Sequence, residues 1–248
     1  MKKDTKTLQK RSAFLTKNII PVLHALEKRP HPVETGKVTN HLYAVKSKIV
    51  NLYVYQKGEV IVFDAGYPQD LNLEQEFKKI AIPPDKVSHL FLTHTDMDHA
   101  GRLDLFRNAT IYLSEKEEQM INGTTCRMLN LYTNRPIDSY TLLRDNQVIE
   151  IGKIKVEAIE TPGHTPGSMS YLVDKSILIT GDTLTLGKGH VNPFFWPYNM
   201  DGKTQIESIK RLAQLKNISV LCTAHTGYTF EFESAIKKYS AVNPKKDP

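Results

Sequence analysis

Residues 93–101 are Thr-His-Thr-Asp-Met-Asp-His-Ala-Gly, and they directly follow the apolar segment Val-Ser-His-Leu-Phe-Leu. Four side chains that can bind a metal therefore lie within six residues at the end of a predicted strand: His94, Asp96, Asp98 and His99. On a continuous strand the first three would share one face, and a turn into a helix would bring His99 beside them. Imidazole and carboxylate ligands together suit zinc, iron or manganese. The alternative is a polar turn in which one aspartate caps a helix, but it leaves both histidines unexplained.

Three later segments each contain one more candidate ligand just after a predicted strand. His164 lies in Thr-Pro-Gly-His-Thr-Pro-Gly-Ser, Asp182 follows Ser-Ile-Leu-Ile in Thr-Gly-Asp-Thr, and His225 follows Ser-Val-Leu-Cys in Thr-Ala-His-Thr-Gly. Each segment alone is weak evidence, because single histidines and Gly-Asp turns are common in ordinary loops. Their shared position at strand ends predicts one common site.

The rest of the chain predicts strands interspersed with helices. Short segments rich in Val, Ile, Tyr and Phe are typical of strands; they are 41–48, 50–58, 59–66, 87–94, 110–114, 147–152, 154–163, 168–175, 176–182 and 218–225. Apolar spacing and capping residues predict helices; these are 5–28, 73–80, 98–106, 114–121, 204–215 and 231–239. Two strand-rich halves, each followed by helices, predict an α+β, four-layer sandwich of two facing sheets with helices outside.

Two irregular stretches interrupt this pattern. Residues 122–143 are predicted to form a long loop of the kind that often lies over a pocket. Residues 187–198 are rich in proline, glycine and aromatic side chains, and we expect a loop there as well. Its residues Phe194, Phe195 and Trp196 are candidates for an apolar wall that contacts a substrate. An aromatic cluster that seals the edge of the core is an equally good interpretation.

Composition limits the classes of protein to consider. The 248 residues, 40% hydrophobic and 24% charged, fit one ordinary globular domain, which we assign to 36–248 with an N-terminal helical extension at 1–35 packed on it. The net charge of +6 comes from scattered lysines without a dense basic stripe, so nucleic acid is not the expected partner. Cys126 and Cys222 are too few and too far apart for a thiolate metal site. No signal-peptide core or membrane span is predicted, so we expect a cytoplasmic protein without a membrane partner.

The spacing His94-x-Asp96-x-Asp98-His99, followed in order by His164, Asp182 and His225, resembles the signature of the metallo-β-lactamase superfamily. Val-Ile-Val-Phe-Asp-Ala-Gly at 60–66 is similar to the early strand and turn of that family, and the resemblance covers about 38–228. It implies an αββα sandwich with two metals at the sheet edges. By that resemblance His94 and His164 bind the first metal, Asp98, His99 and His225 bind the second, and Asp182 bridges both. Asp64 would lie behind the site and fix the loop geometry.

Asp96 departs from the usual family motif, which has histidine at this position. The carboxylate shifts the preference of the first site from zinc toward iron or manganese, although zinc also accepts aspartate. Similar carboxylate-bearing motifs occur in diiron oxygen-binding proteins of the superfamily and in nuclease-like domains. Either Asp96 binds the first metal, or it points away and leaves that site weak. If it binds, its added negative charge should make a bound water less acidic and move the pH optimum to the alkaline side.

The resemblance implies a metal-dependent hydrolase with two divalent ions, zinc first and iron or manganese as alternatives. The sequence around His164 and His225 is similar to that of lactonases and glyoxalase-II-like thioesterases, so we expect a small-molecule carbonyl substrate: a lactone, thioester or β-lactam-like amide. Asp98 is the candidate proton shuttle to the leaving group. Two alternatives stay open: a phosphodiesterase or nuclease-like hydrolase, and a diiron oxygen-binding or oxygen-reactive protein. The sequence leaves the oligomeric state undetermined.

Overall fold

Residues 31–127 and 134–240, which this computed structural model describes, form two mixed β-sheets, a hairpin and four α-helices. The first sheet has strands in sequential order: β1 (Gly36–Lys37), β2 (Leu42–Ser47), β3 (Val50–Lys57), β4 (Glu59–Phe63), β5 (His89–Phe91), β6 (Thr110–Ser114) and β7 (Thr141–Leu143). Strands β1 to β4 are antiparallel to their neighbours, and β4 to β7 are parallel.

The second sheet comes from the second half of the chain. Its strands are β8 (Val148–Ile151), β9 (Ile154–Glu160), β10 (Met169–Val173), β11 (Ile177–Ile179), β14 (Val220–Thr223) and β15 (Gly227–Thr229), and their order is β15-β14-β11-β10-β9-β8. Only the central pair β11 and β14 is parallel. Strands β12 (Leu184–Gly187) and β13 (His190–Pro193) form a separate hairpin.

The helices are α1 (Leu73–Lys79), α2 (Glu118–Ile121), α3 (Gly202–Leu212) and α4 (Phe232–Ser240). Helix α3 begins where the Asp201 side chain accepts hydrogen bonds from the backbone N–H groups of Lys203 and Thr204, both at 3.0 Å. Such a cap satisfies donors that the first turn of a helix leaves without partners. None of the helices among these residues combines the length and the apolar composition that crossing a bilayer requires.

Three apolar clusters hold the layers together. The central cluster lies between the sheets and includes Phe63 and Phe91 from the first and Tyr171 from the second. A second cluster packs α1, through Leu73 and Phe77, on the outer face of the first sheet. A third packs α3 and α4 on the outer face of the second sheet; it contains Ile209, Leu212, Phe232 and Ile236. The αββα arrangement expected from the sequence is therefore confirmed.

One predicted helix is wrong. Residues 98–106 form turns and a three-residue 3₁₀ turn at Leu103–Leu105 instead of an α-helix. The backbone of Gly101 explains this, because its N–H donates to the carbonyl of Gly66 at 3.0 Å rather than to a carbonyl one helical turn earlier. Contact with the loop after β4 thus replaces helical hydrogen bonding.

Other local expectations need smaller corrections. The helix expected at 114–121 is limited to the single turn of α2, and the stretch 122–143 ends in strand β7. The loop expected at 187–198 contains β13 and a 3₁₀ turn at Trp196–Tyr198. Strand pairing and short-range turns decide these regions, and neither leaves a long periodic pattern in the sequence. The helix predicted at 5–28 lies outside the described residues.

Gly101 provides a test of the tight packing between the two loops. A Cβ at this position would lie 2.3–2.5 Å from backbone atoms of Gly66, Met97 and Pro68, none of which can rotate away. We therefore expect Gly101→Ala to lower the free energy of unfolding of the metal-free protein by about 2 kcal/mol or more, measured by urea denaturation. Gly36→Ala is the matched control, because no heavy atom lies within 4 Å of its added Cβ. An equal effect of both substitutions would contradict this description of the packing.

Candidate metal centre

The candidate ligands lie on four loops that meet at one edge of the two sheets. His94, Asp96, Asp98 and His99 follow β5 of the first sheet. From the second sheet, His164 lies between β9 and β10, Asp182 follows β11, and His225 follows β14. Because β11 and β14 are parallel neighbours, their carboxyl ends lie side by side. The topology therefore brings residues that are far apart in sequence to one place.

Asp182 lies at the centre of this group. Its Oδ1 lies 3.4 Å from Nε2 of His99 and 3.3 Å from Nε2 of His225. Its Oδ2 lies 3.5 Å from Nε2 of His164 and 3.9 Å from Nε2 of His94. One carboxylate thus faces histidines on both sides, as a group shared by two metal ions would.

The other side chains divide into two halves around Asp182. In the first half, Asp96 Oδ2 lies 3.6 Å from His94 Nε2 and 3.2 Å from His164 Nε2. In the second half, Asp98 Oδ2 lies 3.9 Å from His99 Nε2 and 3.5 Å from His225 Nε2. Ligand atoms bonded to one tetrahedral zinc at about 2.0–2.1 Å are about 3.4 Å apart. Both halves are therefore close to the spacing that a bound metal needs.

Buried polar atoms at this point are poorly satisfied by the protein itself. Within the described ranges, Nε2 of His94, His99 and His225 and Oδ1 of Asp182 are buried without a hydrogen-bond partner. Leaving such atoms without a partner is costly. All four face the same small volume, and a cation bound there would satisfy them together. The donor set therefore fits a metal.

The opposite ring nitrogen of each histidine contacts a polar atom of the surrounding shell. Nδ1 of His99 lies 2.8 Å from Asp64 Oδ2, and Nδ1 of His225 lies 2.9 Å from the carbonyl oxygen of Ile49. The other two contacts are His164 Nδ1 to Asn199 Oδ1 and His94 Nδ1 to Thr93 Oγ1, both 3.1 Å. Contacts of this kind fix the ring orientation and direct Nε2 toward the centre.

Asp64 occupies the structural position that the resemblance implied. It has a left-handed backbone conformation with φ of 65°, which is uncommon outside glycine, directly after β4. Its Oδ1 accepts hydrogen bonds from the backbone N–H of Thr93 at 2.8 Å and from the Thr93 hydroxyl at 3.0 Å. It therefore holds the start of the ligand loop while its other oxygen orients His99.

Glu117 is a buried site residue that the sequence analysis missed. Its Oε1 accepts hydrogen bonds from the backbone N–H and the hydroxyl of Thr95, both at 2.8 Å, and its Oε2 accepts from the Thr165 hydroxyl at 2.6 Å. Burial raises the pKa of the Glu117 carboxyl. It links the loop of Asp96 to the loop of His164. In the sequence it is one of three acids in a helix-like segment, and nothing there distinguishes it.

Asp96 points into the site, and two further missed residues hold it there. Arg127 Nη2 donates to Asp96 Oδ2 at 2.6 Å, and Arg127 Nη1 donates to the carbonyl oxygen of His164 at 2.8 Å. Asn134 Nδ2 donates to Asp96 Oδ1 at 3.0 Å. Both donors belong to the predicted irregular stretch, where no motif separates them from other polar residues.

The Arg127 contact changes the charge that the sequence predicts for the site. Taken alone, the Asp96 carboxylate adds one negative charge, which is the premise of the predicted alkaline pH optimum. The structure contradicts this premise, because the guanidinium group balances the carboxylate. Burial opposes ionisation of Asp96, but Arg127 and the neighbouring histidines keep its pKa well below the usual value.

The carboxylates of the centre favour the protonated forms of two of its histidines, His99 and His225. Burial works against protonation of His99, yet the carboxylates of Asp182 and Asp64 raise its pKa well above the usual value. The pKa of His225 is also raised, mainly by Asp182 acting against burial. A bound metal would replace these protons, so metal binding should release protons.

The aromatic loop contacts the centre through Phe194. Its ring centroid lies 5.0 Å from that of His164 and 5.1 Å from that of His225, and its side chain is buried. Phe195 is half-buried, whereas Trp196 is 78% exposed. Phe194 therefore forms a wall beside two candidate ligands, and Trp196 lies on the outer surface of the same loop.

Comparisons with known proteins agree with this geometry. A family model described as the metallo-beta-lactamase superfamily matches residues 47–225. The probable polyketide biosynthesis zinc-dependent hydrolase of Bacillus subtilis is 32% identical over 213 residues, which is 81% of this chain and 78% of that protein. The hydroxyacylglutathione hydrolase of Buchnera aphidicola is 29% identical over 195 residues, covering 76% of this chain and 66% of that protein. Alignments with two further Bacillus subtilis proteins span slightly under two thirds of their lengths, 64% and 65%.

Solved structures show the same fold. A metallo-beta-lactamase family protein of Thermus thermophilus superposes with a TM-score of 0.62 at 23% identity, covering 82% of this chain and 79% of that chain. The family match covers most of the described residues and includes every candidate ligand, and the αββα architecture is the one that the family shares. This chain belongs to the metallo-beta-lactamase superfamily.

Proposed function

We propose that this protein is a metal-dependent hydrolase of a small carbonyl substrate: a lactone, a thioester or a β-lactam-like amide. The observation that carries the proposal is the two-sided centre around Asp182, in which buried imidazole nitrogens and carboxylate oxygens from four loops face one volume. The relative from Buchnera aphidicola supports a thioester, since its name describes hydrolysis of hydroxyacylglutathione. The family membership supports hydrolysis in general.

We assign two divalent metal ions to the centre, zinc first. His94, Asp96 and His164 would bind the first ion, and Asp98, His99 and His225 the second, with Asp182 shared between them. Oxygen and nitrogen donors without thiolates also accept iron or manganese. When bound, the ions would polarise the substrate carbonyl and lower the pKa of a water molecule.

The protein side chains would supply the remaining chemistry. The Asp98 side chain is 15% exposed, a larger fraction than for any other proposed ligand. We therefore assign to Asp98 the transfer of a proton to the leaving group. Phe194 would exclude water on the side of His164 and His225, and Phe195 and Trp196 would extend this apolar wall toward the substrate.

The activity can be tested with zinc-reconstituted protein and a panel of lactone, thioester, β-lactam and phosphodiester substrates. We expect hydrolysis of at least one of the three carbonyl substrates and its loss after chelation of the metal. Asp98→Asn should lower kcat by about 10²–10⁴-fold, provided that metal analysis shows an unchanged metal content. Asp104→Asn, at an exposed position away from the centre, is the control. Turnover of the phosphodiester alone, or oxygen uptake by an iron-loaded sample without any hydrolysis, would contradict the proposal.

Metal affinity should depend on Asp64, although this residue is not a proposed ligand. An amide at this position cannot accept the His99 Nδ1–H bond as strongly as a carboxylate does, so we expect Asp64→Asn to weaken zinc binding by about 10–100-fold. Competition with a chromophoric chelator measures the change. Asp70→Asn is the matched control, because Asp70 is equally buried but hydrogen-bonds Ser47. Equal zinc dissociation constants for the two variants would show that Asp64 does not support metal binding through His99.

The role of the exposed aromatic residue is a separate prediction. If Trp196 contacts the substrate away from the reacting bond, Trp196→Ala should raise KM severalfold and leave kcat within about twofold. Leu71→Ala is a suitable control, since Leu71 is 85% exposed and belongs to another loop. Steady-state kinetics on the best substrate of the panel decide the point. Unchanged KM in Trp196→Ala would remove this residue from the substrate-binding surface.

A further inference from the structure

The buried Arg127 makes its contacts at the ligand atoms of the first half of the centre. Nη2 lies 2.6 Å from Asp96 Oδ2 and 3.3 Å from His164 Nε2. These are the two atoms that Asp96 and His164 would offer to the first metal. The Arg127 side chain is only 3% exposed, so solvent does little to screen its charge. The first half therefore already contains a cation of the protein itself.

Asn134 restricts the orientation of the Asp96 carboxylate, which limits how it can bind Arg127 and a metal ion at the same time. Its amide donates to Asp96 Oδ1 at 3.0 Å and to the Thr95 hydroxyl at 2.9 Å. The carboxylate is therefore held with Oδ2 toward His164 and the centre. Arg127 and a metal would have to use the same oxygen.

Simple geometry bounds the distance between the two cations. A metal bonded to Asp96 Oδ2 at about 2.0–2.2 Å could lie no more than about 4.8 Å from Arg127 Nη2. An arginine remains protonated in proteins, so it cannot relieve the repulsion by losing its proton. At so short a distance in a buried site, the repulsion between a guanidinium and a divalent ion is strong. Metal binding to the first half must therefore overcome this repulsion or displace Arg127 from Asp96.

We propose that the Arg127 guanidinium occupies the first half of the centre as its cation, so that the two metal sites differ in affinity. The protein then binds one metal ion tightly, through Asp98, His99, His225 and Asp182, and a second ion about 100-fold more weakly, when Arg127 leaves Asp96. This inference concerns metal binding alone, so it can fail or hold independently of the hydrolase activity proposed above. The proposal also explains why an arginine accompanies the aspartate at position 96, where the usual motif has histidine.

Stepwise titration of the metal-free protein with zinc tests the proposal, with a chromophoric chelator as competitor and cobalt spectra as a second readout. For the unmodified protein we expect one tight equivalent and a second that binds about 100-fold more weakly. In Arg127→Met the ratio of the two zinc dissociation constants should fall by tenfold or more, because the repulsion between the guanidinium and the ion in the first half is removed. Arg144→Met is the matched control, since Arg144 pairs with Glu115 at 3.0 Å on the surface, and it should leave both constants unchanged.

A second variant guards against failure of the first to fold. Arg127→Met leaves the buried Asp96 carboxylate without its charge partner, which can be strongly destabilising. The double variant with Asp96→His and Arg127→Met removes both charges together and keeps a ligand atom at position 96. We expect it to bind two zinc ions with affinities within about tenfold of each other. The proposal would be overturned if the unmodified protein bound two zinc ions with dissociation constants within tenfold of each other. It would also be overturned if the ratio of the two constants were unchanged in whichever Arg127 variants fold.

Discussion

Negative charge is buried at one edge of the two sheets, and the surrounding loops must be arranged so that they neutralise it. Asp64, Asp96 and Asp182 are buried there, and the Asp98 side chain is only 15% exposed. Carboxylates removed from water are costly unless cations and hydrogen-bond donors surround them. Every one of them faces such a group, whether a histidine or Arg127. The site is thus a set of balanced charges, and the balance changes with the cation that is present.

The fold makes this balance achievable because it joins the two sheets at their strand ends. The loop after β5 carries four candidate ligands from the first sheet, and the parallel strands β11 and β14 carry Asp182 and His225 from the second. Close approach between the two sides is required at Gly181, where φ is +51° and a Cβ would lie 2.4 Å from Thr93 Oγ1. A glycine beside Asp182 is therefore part of the geometry that positions the shared carboxylate.

The convergence of the candidate ligands could be predicted from the sequence, because each of them lies in a short motif at a strand end, where local residue types carry the information. The four-layer fold was predictable for a related reason, since the apolar segments of its strands are distinct. The helix expected at 98–106 failed because Gly101 hydrogen-bonds across to Gly66, a contact that no local pattern reveals. The site contacts of Glu117 and Arg127 were not predicted for the same reason, because their hydrogen-bond partners lie 22 and 31 residues away in sequence. Tertiary contacts of polar residues are what the sequence alone could not supply.

Anomalous X-ray diffraction at the zinc edge, from crystals grown with one equivalent of zinc, would locate the tight metal site. We expect this site at Asp98, His99, His225 and Asp182, with Arg127 still bound to Asp96. The predicted result is a single strong anomalous peak at about 2.0–2.1 Å from Nε2 of both His99 and His225. A peak bonded to His94, Asp96 and His164 instead, or no peak among these side chains, would contradict it.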